Sequence, residues 1–385
     1  KTDILLGINR RTPTIVCLLD LRKAFDSVWQ YGLTYKLSEI LNFHPHLCKL
    51  ILSFLDGRKS LVNFQQHLSS SYTCPVGIPQ GSVLSATLFS LFTADIPKPT
   101  PHPCPIRILQ YADDLIIYTA TKDISRGEAR LNAYLDELYH YFTRWKLSLN
   151  PDKCETIVFH GDMRMTPKMW SDTRSLSLTI HDQPIPTVKE VTYLGVTMNS
   201  RLSHVPHITK ALGRATGAFR SLHPILKYNI PTSKRVKLFC YKQLFRPLLI
   251  FGFIFWSDCS PSQMERLRLR ERRIFRHCAN IFKNEDRSKY ISNQILYESC
   301  QTPRIDAFLA RLALNFLAKC QAHPNPLVAN AMQIEIVEDN LLRTHLFPQI
   351  LLSPHSQNLI FDPQGRVVFY TGNFSDSQFF KPSHH

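Results

Sequence analysis

Three aspartates of this chain have the residue type and the placement for metal-assisted chemistry. Asp113 and Asp114 are adjacent, between the apolar runs 107–111 and 115–118, each rich in Ile, Leu and Tyr and long enough for one strand. The pattern predicts a β-hairpin with the acid pair at its turn. Neighbouring side chains of a regular strand face opposite ways, but a tight turn lets both carboxylates aim into one space. Like charges that close raise one another's pKa unless a cation neutralises them, and a hard divalent ion such as Mg2+ suits oxygen ligands. An ordinary Asp-rich turn would also account for this pair taken alone. Asp20 follows the continuous apolar run Thr14-Ile-Val-Cys-Leu-Leu19, which reads as a strand covered on both faces with an acid at its exposed end. Carboxylates from two strand ends can bracket two cations about 3.5–4 Å apart, as phosphoryl or nucleotidyl transfer requires. A glycosyltransferase-type acid pair or a metal-dependent hydrolase would show the same three residues.

The elements that must position these acids are legible in outline. Residues 28–42 and 46–55 read as helices, and 61–64 with 71–76 as a short strand pair. The loop Gly77-Ile-Pro-Gln-Gly-Ser82 leads into a helix through Phe92, and a proline-dense loop over 97–105 delivers the chain to the acid hairpin. A long amphipathic helix is predicted over 125–146, with Leu131, Tyr134, Leu135, Leu138 and Phe142 at helical spacing. Its aromatic residues Tyr134, Tyr139, Tyr141 and Trp145 read as core rather than as a stacking platform. The turn Asn150-Pro-Asp-Lys153 and a strand over 155–159 follow. Residues 161–176 are polar and show little pattern, and strand-like pieces at 176–180 and 188–198 close the first unit. From His204 the texture changes to helices: 208–222, 231–245, 247–256, 262–282 and 303–322. The main boundary is expected near 200, giving a sheet-containing unit over 1–200, a helical one over 201–330, and a weakly patterned segment over 331–385. No internal repeat is evident.

Composition narrows the class. At 385 residues and 44% hydrophobic content the chain is long and apolar enough for two or three packed units, which excludes a disordered protein. A net charge of +16 points to a polyanionic partner, although charge alone does not separate nucleic acid from a membrane surface. The ten cysteines are scattered without a C-x-x-C pair, which argues against a structural zinc site and for reduced thiols. The most apolar stretch, 244–256, is short and carries Arg246 and Pro247, so a buried helix is expected and no membrane span. The first residue is Lys1 rather than Met, close to a strand that reads as central, so a fragment lacking its natural N-terminal part is expected. In 264–277, Arg266, Arg270, Arg273 and His277 recur three or four apart while Leu267, Ile274 and Ile281 recur every seven. That basic face is either solvated or follows phosphates. His204 and His207 flank Pro206 and read as a helix start rather than as metal ligands.

The order of these motifs resembles the reverse transcriptase domain of non-LTR retrotransposons, of the Jockey type, over about residues 1–325. Leu18-Leu-Asp-Leu-Arg-Lys-Ala-Phe-Asp26 is similar to the first palm motif of that family, and Gly77-Ile-Pro-Gln-Gly-Ser-Val-Leu-Ser85 to its template-and-nucleotide loop. Tyr111-Ala-Asp-Asp114 resembles its Asp–Asp hairpin, Leu149-Asn-Pro-Asp-Lys153 its lysine-bearing motif, and Tyr193-Leu-Gly-Val-Thr-Met198 its primer-grip hairpin. Arg246-Pro-Leu-Leu-Ile-Phe-Gly-Phe-Ile-Phe-Trp256 resembles a stretch typical of the region after the palm.

The resemblance implies an α+β palm of the right-hand polymerase type, an antiparallel sheet with helices, preceded by a remnant of the fingers and followed by an α-helical thumb and connection region. It implies RNA-templated DNA synthesis with two Mg2+ ions, Mn2+ being a substitute. Asp20 and Asp113 would be the principal metal ligands, with the carbonyl of Leu21, and Asp114 would shape the site. Phe25 would be the steric gate against a ribose 2′-hydroxyl. Gln80 and Gly81 would lie along the incoming nucleotide and template base, Arg22 and Lys23 near the triphosphate, and Lys153 near the pyrophosphate as general acid. Tyr193, Leu194 and Gly195 would place the primer terminus, and Arg266, Arg270 and Arg273 would follow the duplex phosphates. The implied partners are an RNA template, a DNA primer and dNTPs, within a larger polyprotein carrying an endonuclease, in a ribonucleoprotein of nucleus and cytoplasm. Two rival readings are a catalytically idle, truncated or domesticated relative that binds nucleic acid, and an intron-encoded or other cellular reverse transcriptase.

Overall fold

The computed structural model describes residues 1–227, 230–257, 259–281, 291–330, 359–361 and 367–370. They form two compact units, one over Arg10–Val191 and one that joins Lys1–Asn9 to the chain from Thr192 onward. The division thus falls inside the strand Glu190–Tyr193, earlier than the patterning suggested, and the first nine residues group with the later unit rather than with the sheet.

The first unit is built on a four-stranded antiparallel sheet. Its strands are β1 (Thr14–Leu19), β2 (Ile106–Tyr111), β3 (Asp114–Ala120) and β4 (Glu155–Phe159), in the order β2-β3-β1-β4. β1 lies between two partners and is buried almost throughout, which is why it reads as an unbroken apolar run. Ile15, Cys17 and Leu19 of β1 share a core with Leu131, Leu135, Leu138 and Phe142 of helix α1 (Ile124–Arg144). Tyr134 and Tyr141 are buried there too, while Tyr139 and Trp145 pack against the core from its edge, as the spacing predicted.

A lysine ties several of these elements together. The helix expected over 28–42 begins at Gln30 and passes at Lys36–Ile40 into a π-helical turn. From this turn Lys36 enters the core, 1% exposed. Its Nζ donates to the Phe92 carbonyl at 2.6 Å, to the Tyr141 hydroxyl at 2.8 Å and to Asp95, and it lies 3.8 Å from the Trp145 ring centroid. Burial lowers its pKa to about 8, against the pull of Asp95.

Other local readings change in detail. The strand pair over 61–76 is two nested hairpins, Lys59–Ser60 with Tyr72–Thr73 and Asn63–Phe64 with His67–Leu68. The polar stretch 161–176 contains a helix, Pro167–Ser175, whose Thr166 side chain caps it by accepting the Met169 N–H. Leu178–Ile180 finds its partner in Gln183–Ile185, turned by His181 and Asp182 at φ 46° and 64°. That left-handed pair is the two-residue turn matched to strand twist.

The second unit is helical, with α2 (Val205–Leu226), α3 (Pro261–Ala279) and Ile305–Gln321 as its longest members and an unforeseen short helix at Asn293–Ser299. The last residue expected in the second of these, Phe282, lies outside the described residues. The helix expected over 247–256 is broken: Arg246–Ile250 ends, Gly252 takes φ 67°, and Phe253–Trp256 restarts. Trp256, Tyr241, Phe245 and Phe275 fill the core. Within it Glu271 accepts the hydroxyls of Tyr241 and Tyr297, and Arg246 donates to the Tyr241 oxygen at 2.9 Å and to the Pro303 carbonyl at 2.9 Å. Every member of that polar cluster has a partner, as burial demands. Most of the segment 331–385 lies outside the described residues, save the strand pair Leu359–Phe361 and Val367–Tyr370. Among the described residues no helix is long and apolar enough to cross a membrane.

Candidate active site

The predicted hairpin is present, one residue out of step with the acid pair: Asp113 is in the turn and Asp114 already opens β3. β2 and β3 pair down to Tyr111↔Asp114, leaving Ala112 and Asp113 as the turn, with Ala112 at φ 53°. β1 pairs with β3 down to Leu19↔Leu115. One further step in that antiparallel register brings Asp20 level with Asp114, and directly opposed residues present their side chains to the same face. The three acids therefore meet at one end of the sheet. Burial, then the charge of Asp113, then that of Asp20 push the Asp114 carboxyl above its usual range. Among the described residues no Lys or Arg forms an ion pair with any of the three, and no group of three His, Cys, Asp or Glu side chains is drawn tightly enough to hold a metal ion.

The chain after β1 stays attached to this end. Leu21 bridges to Leu149, and the Arg22 N–H donates to the Ser148 carbonyl at 2.8 Å. Arg22 and Lys23 are exposed, as is Lys153 on the short turn Pro151–Lys153. Phe25 is half-buried with its ring 5.0 Å from Phe89.

The glycine-containing loop is tied to the segment that holds Phe25. The Ile78 N–H donates to the Phe25 carbonyl and the Gly77 N–H to the Val28 carbonyl, both at 2.8 Å. Gly77 has φ 84°, and a Cβ there would lie 2.7 Å from the Asp26 carbonyl oxygen, so only glycine permits this approach. The Gln30 amide at 3.0 Å and the Arg58 guanidinium both donate to the Gly77 carbonyl. Gln80 donates to the Asp26 carboxylate at 3.0 Å, and Gly81 is exposed at φ 87° with open space around it. Gln30 and Arg58 thus brace this loop from outside the motifs, and Asp26 and Gly77, which the motifs include without a role, take part in the same ties; the glycine opening the motif two residues before a proline was the available signal.

The hairpin of Glu190–Tyr193 and Val196–Asn199 turns at Leu194 and Gly195, φ 47° and 76°. A Cβ at Gly195 would lie 2.8 Å from the Phe251 ring. The Phe251 carbonyl takes bonds from Trp256 Nε1 and His207 Nε2, each at 2.9 Å, and His207 Nδ1 accepts the Thr197 N–H at 3.3 Å. His207 is therefore a buried neutral fastener, its pKa lowered chiefly by burial. On α3 the arginines divide by task. Arg268 donates to Asp306 at 2.7 Å and Arg276 to the Ile291 carbonyl at 2.7 Å, both fastening α3 to its neighbours, while Arg272 donates to Glu265 within α3 itself. Arg266 is exposed and bonded to Gln263 at 2.7 Å, while the guanidinium groups of Arg270 and Arg273 have no bond to any described residue.

Residues 6–198 match the family model for reverse transcriptase (RNA-dependent DNA polymerase). The chain belongs to the reverse transcriptase family. It is 27% identical over 329 residues to the RNA-directed DNA polymerase from mobile element jockey of Drosophila melanogaster, covering 83% of this chain and 34% of that protein. Against the protein of the same name from Drosophila funebris the identity is 28% over 315 residues, covering 81% and 32%. This reverse transcriptase chain thus spans about a third of the length of the curated relatives it matches, which are jockey-type non-LTR elements. Telomerase from Candida tropicalis, solved in complex with a fragment of telomeric RNA, is similar with a TM-score of 0.41 and 11% identity, over 87% of this chain and 52% of that one. The α+β class expected for the family is the one observed, an antiparallel sheet with helices and then a helical unit. Reverse transcriptases generally use divalent metals. The chemistry of the acid set fits one: three carboxylates, all oxygen donors, with Asp113 and Asp20 adding their charge at Asp114 and no Lys or Arg among the described residues paired with any of them.

Proposed function

We propose that this chain is the catalytic core of an RNA-directed DNA polymerase of a non-LTR retrotransposon, extending a primer 3′-hydroxyl with dNTPs on an RNA template. The observation that carries the reading is the β1–β3 register, which sets Asp20 level with Asp114 beside Asp113, with no Lys or Arg among the described residues paired with them. Asp20, Asp113 and the Leu21 carbonyl would hold the metal, with Asp114 shaping the site. The chemistry supplied by two bound Mg2+ ions, or by Mn2+ in their place, is a lowered pKa for the primer hydroxyl and neutralisation of the leaving pyrophosphate. Phe25 would fill the space of a ribose 2′-hydroxyl, held against Phe89. Gln80 and Gly81 would flank the nucleotide and the template base. Arg22 and Lys23 would meet the triphosphate, and Lys153 Nζ would give its proton to the departing pyrophosphate oxygen. Tyr193, Leu194 and Gly195 would hold the primer end, and Arg266, Arg270 and Arg273 the duplex phosphates. As part of a longer polyprotein with an endonuclease, it would work in a ribonucleoprotein passing between cytoplasm and nucleus.

Primer extension on an RNA template with Mg2+ and dNTPs tests this on the chain itself, on its Asp113→Ala variant, and on the chain within its longer natural protein. The expected result is extension that falls more than about 100-fold in the variant, beyond the loss of an outer-shell partner alone, with duplex binding retained. Extension unchanged in Asp113→Ala would sink the metal assignment. Salt-sensitive RNA binding with no extension in any arm would leave a binding protein.

A further inference from the structure

We propose that Asn150 is a positioning residue for Asp20, fixing the carboxylate that receives the metal; the proposal rests on the polymerase reading of Asp20. Asn150 meets Asp20 twice. Its backbone N–H donates to the Asp20 carbonyl at 2.8 Å, and its side-chain Nδ2 donates to Asp20 Oδ2 at 3.4 Å. The same turn supplies a third bond, since the Asp20 N–H donates to the Sγ of buried Cys154 at 3.4 Å. Asp20 lies one residue beyond β1, where regular pairing has ended. Both of its backbone groups and one carboxylate oxygen are nevertheless engaged by the five residues 150–154.

The turn that does this is itself braced. The Asn150 carbonyl accepts the N–H of Lys153 at 3.0 Å and of Cys154 at 3.1 Å, and Pro151 is buried at the head of the turn. The isolated bridge between Leu21 and Leu149 ties the residue after Asp20 to the residue before Asn150. Asn150 is thus a fixed point, and its amide can hold the Asp20 side chain in one rotamer before a cation arrives.

Residue chemistry explains why an amide stands here. Three acids already share this end of the sheet, so an Asp or Glu would add a fourth negative charge. A Lys or Arg would neutralise Asp20 and compete with the cation. A neutral donor bonds Oδ2, leaves Oδ1 for the metal and adds no charge. The turn motif therefore does more than carry Lys153.

The test compares the 385-residue chain with Asn150→Ala and with Asn150→Leu, which keeps the size and removes the donor. Asp152→Ala serves as a control in the same turn, and Asp113→Ala as the metal-ligand loss. Mn2+ uptake is read from the electron paramagnetic resonance signal of free Mn2+, beside thermal melting and extension as a function of metal concentration. The expected result is Mn2+ affinity weakened about 10–100-fold in both Asn150 variants, melting close to wild type, extension restored by raised metal, and Asp152→Ala unchanged. Wild-type Mn2+ affinity in both variants would overturn the role of Asn150 and leave the polymerase reading standing. Loss of the cooperative melt in both would make Asn150 a folding residue and overturn it as well. A wild-type chain that takes up no more Mn2+ than Asp113→Ala would overturn the polymerase reading, and this role with it.

Discussion

At the scale of single residues, the candidate site gathers three carboxylates with which no Lys or Arg among the described residues forms an ion pair. The pKa of the Asp114 carboxyl is raised above its usual range first by burial and then by the charges of Asp113 and Asp20. Phe25 shows the opposite strategy, a ring held by apolar contact with Phe89 while its carbonyl accepts the Ile78 N–H of the Gly77–Ser82 loop. Shortening that ring should open space without unfastening the loop, because the tie is made by backbone. Phe25→Val is therefore expected to lower the discrimination against ribonucleotides by about 100-fold, a range over which steric exclusion of a hydroxyl operates. Competing rNTP and dNTP incorporation rates would measure it, and unchanged discrimination would remove Phe25 from the gate.

At the scale of elements, two connections matter more than the strands they join. The loop opening at Gly77 lies against the Asp26 backbone so closely that a methyl group has nowhere to go, and its positive φ disfavours any side chain. Gly77→Ala should cost about 1–3 kcal/mol and displace Gln80 from Asp26. Urea unfolding with dNTP KM would show both, and a variant with wild-type stability and KM would mean that the loop adapts freely. On α3 the guanidinium groups of Arg270 and Arg273, unbonded to any described residue, contrast with Arg268 and Arg276, which tie α3 to its neighbours, and with Arg272, which pairs with Glu265 along the same helix. Replacing Arg270 and Arg273 by Ala should weaken binding to RNA–DNA duplexes of any sequence. The slope of log affinity against log salt should become shallower by about one unit for each phosphate that is no longer neutralised. Melting of the protein should hardly change, and an unaltered salt slope would return these arginines to the solvent.

At the scale of the whole molecule, the sheet-bearing unit depends on Lys36, which joins the π-helical turn, the end of the Ser85–Phe92 helix and α1 through one ammonium group. Lys36→Ala leaves the Phe92 carbonyl without this donor and Asp95 without its cation, with only the Tyr141 hydroxyl still donating to it at 2.6 Å, and should destabilise the protein by about 3 kcal/mol. The pH dependence follows from its pKa of about 8, against an ordinary 10.5. Between those values the unfolded chain binds this proton more than the folded one, so the contribution of Lys36 to stability rises with pH from about 8 to 10.5 and is flat below 8. Urea midpoints across that range, compared between wild type and Lys36→Met, would reveal it. Parallel curves for the two proteins would place the ionisation elsewhere.

Local patterning was enough to define the strand before Asp20, the hairpin that carries Asp113 and Asp114, the amphipathic α1 and the change to helices, because each is written in residues near one another in the chain. It also carried the order of motifs by which the reverse transcriptase family is recognised. Three-dimensional packing alone sets Leu19 opposite Leu115, so that Asp20 comes level with Asp114, since register depends on strands nearly a hundred residues apart. The same holds for the close approach of Gly77 to Asp26, the inward course of Lys36 and the break at Gly252, where packing partners outweigh local preference. The hold of Asn150 on Asp20 belongs with them: a turn residue gains its meaning from the strand end, 130 positions earlier, that the fold sets beside it.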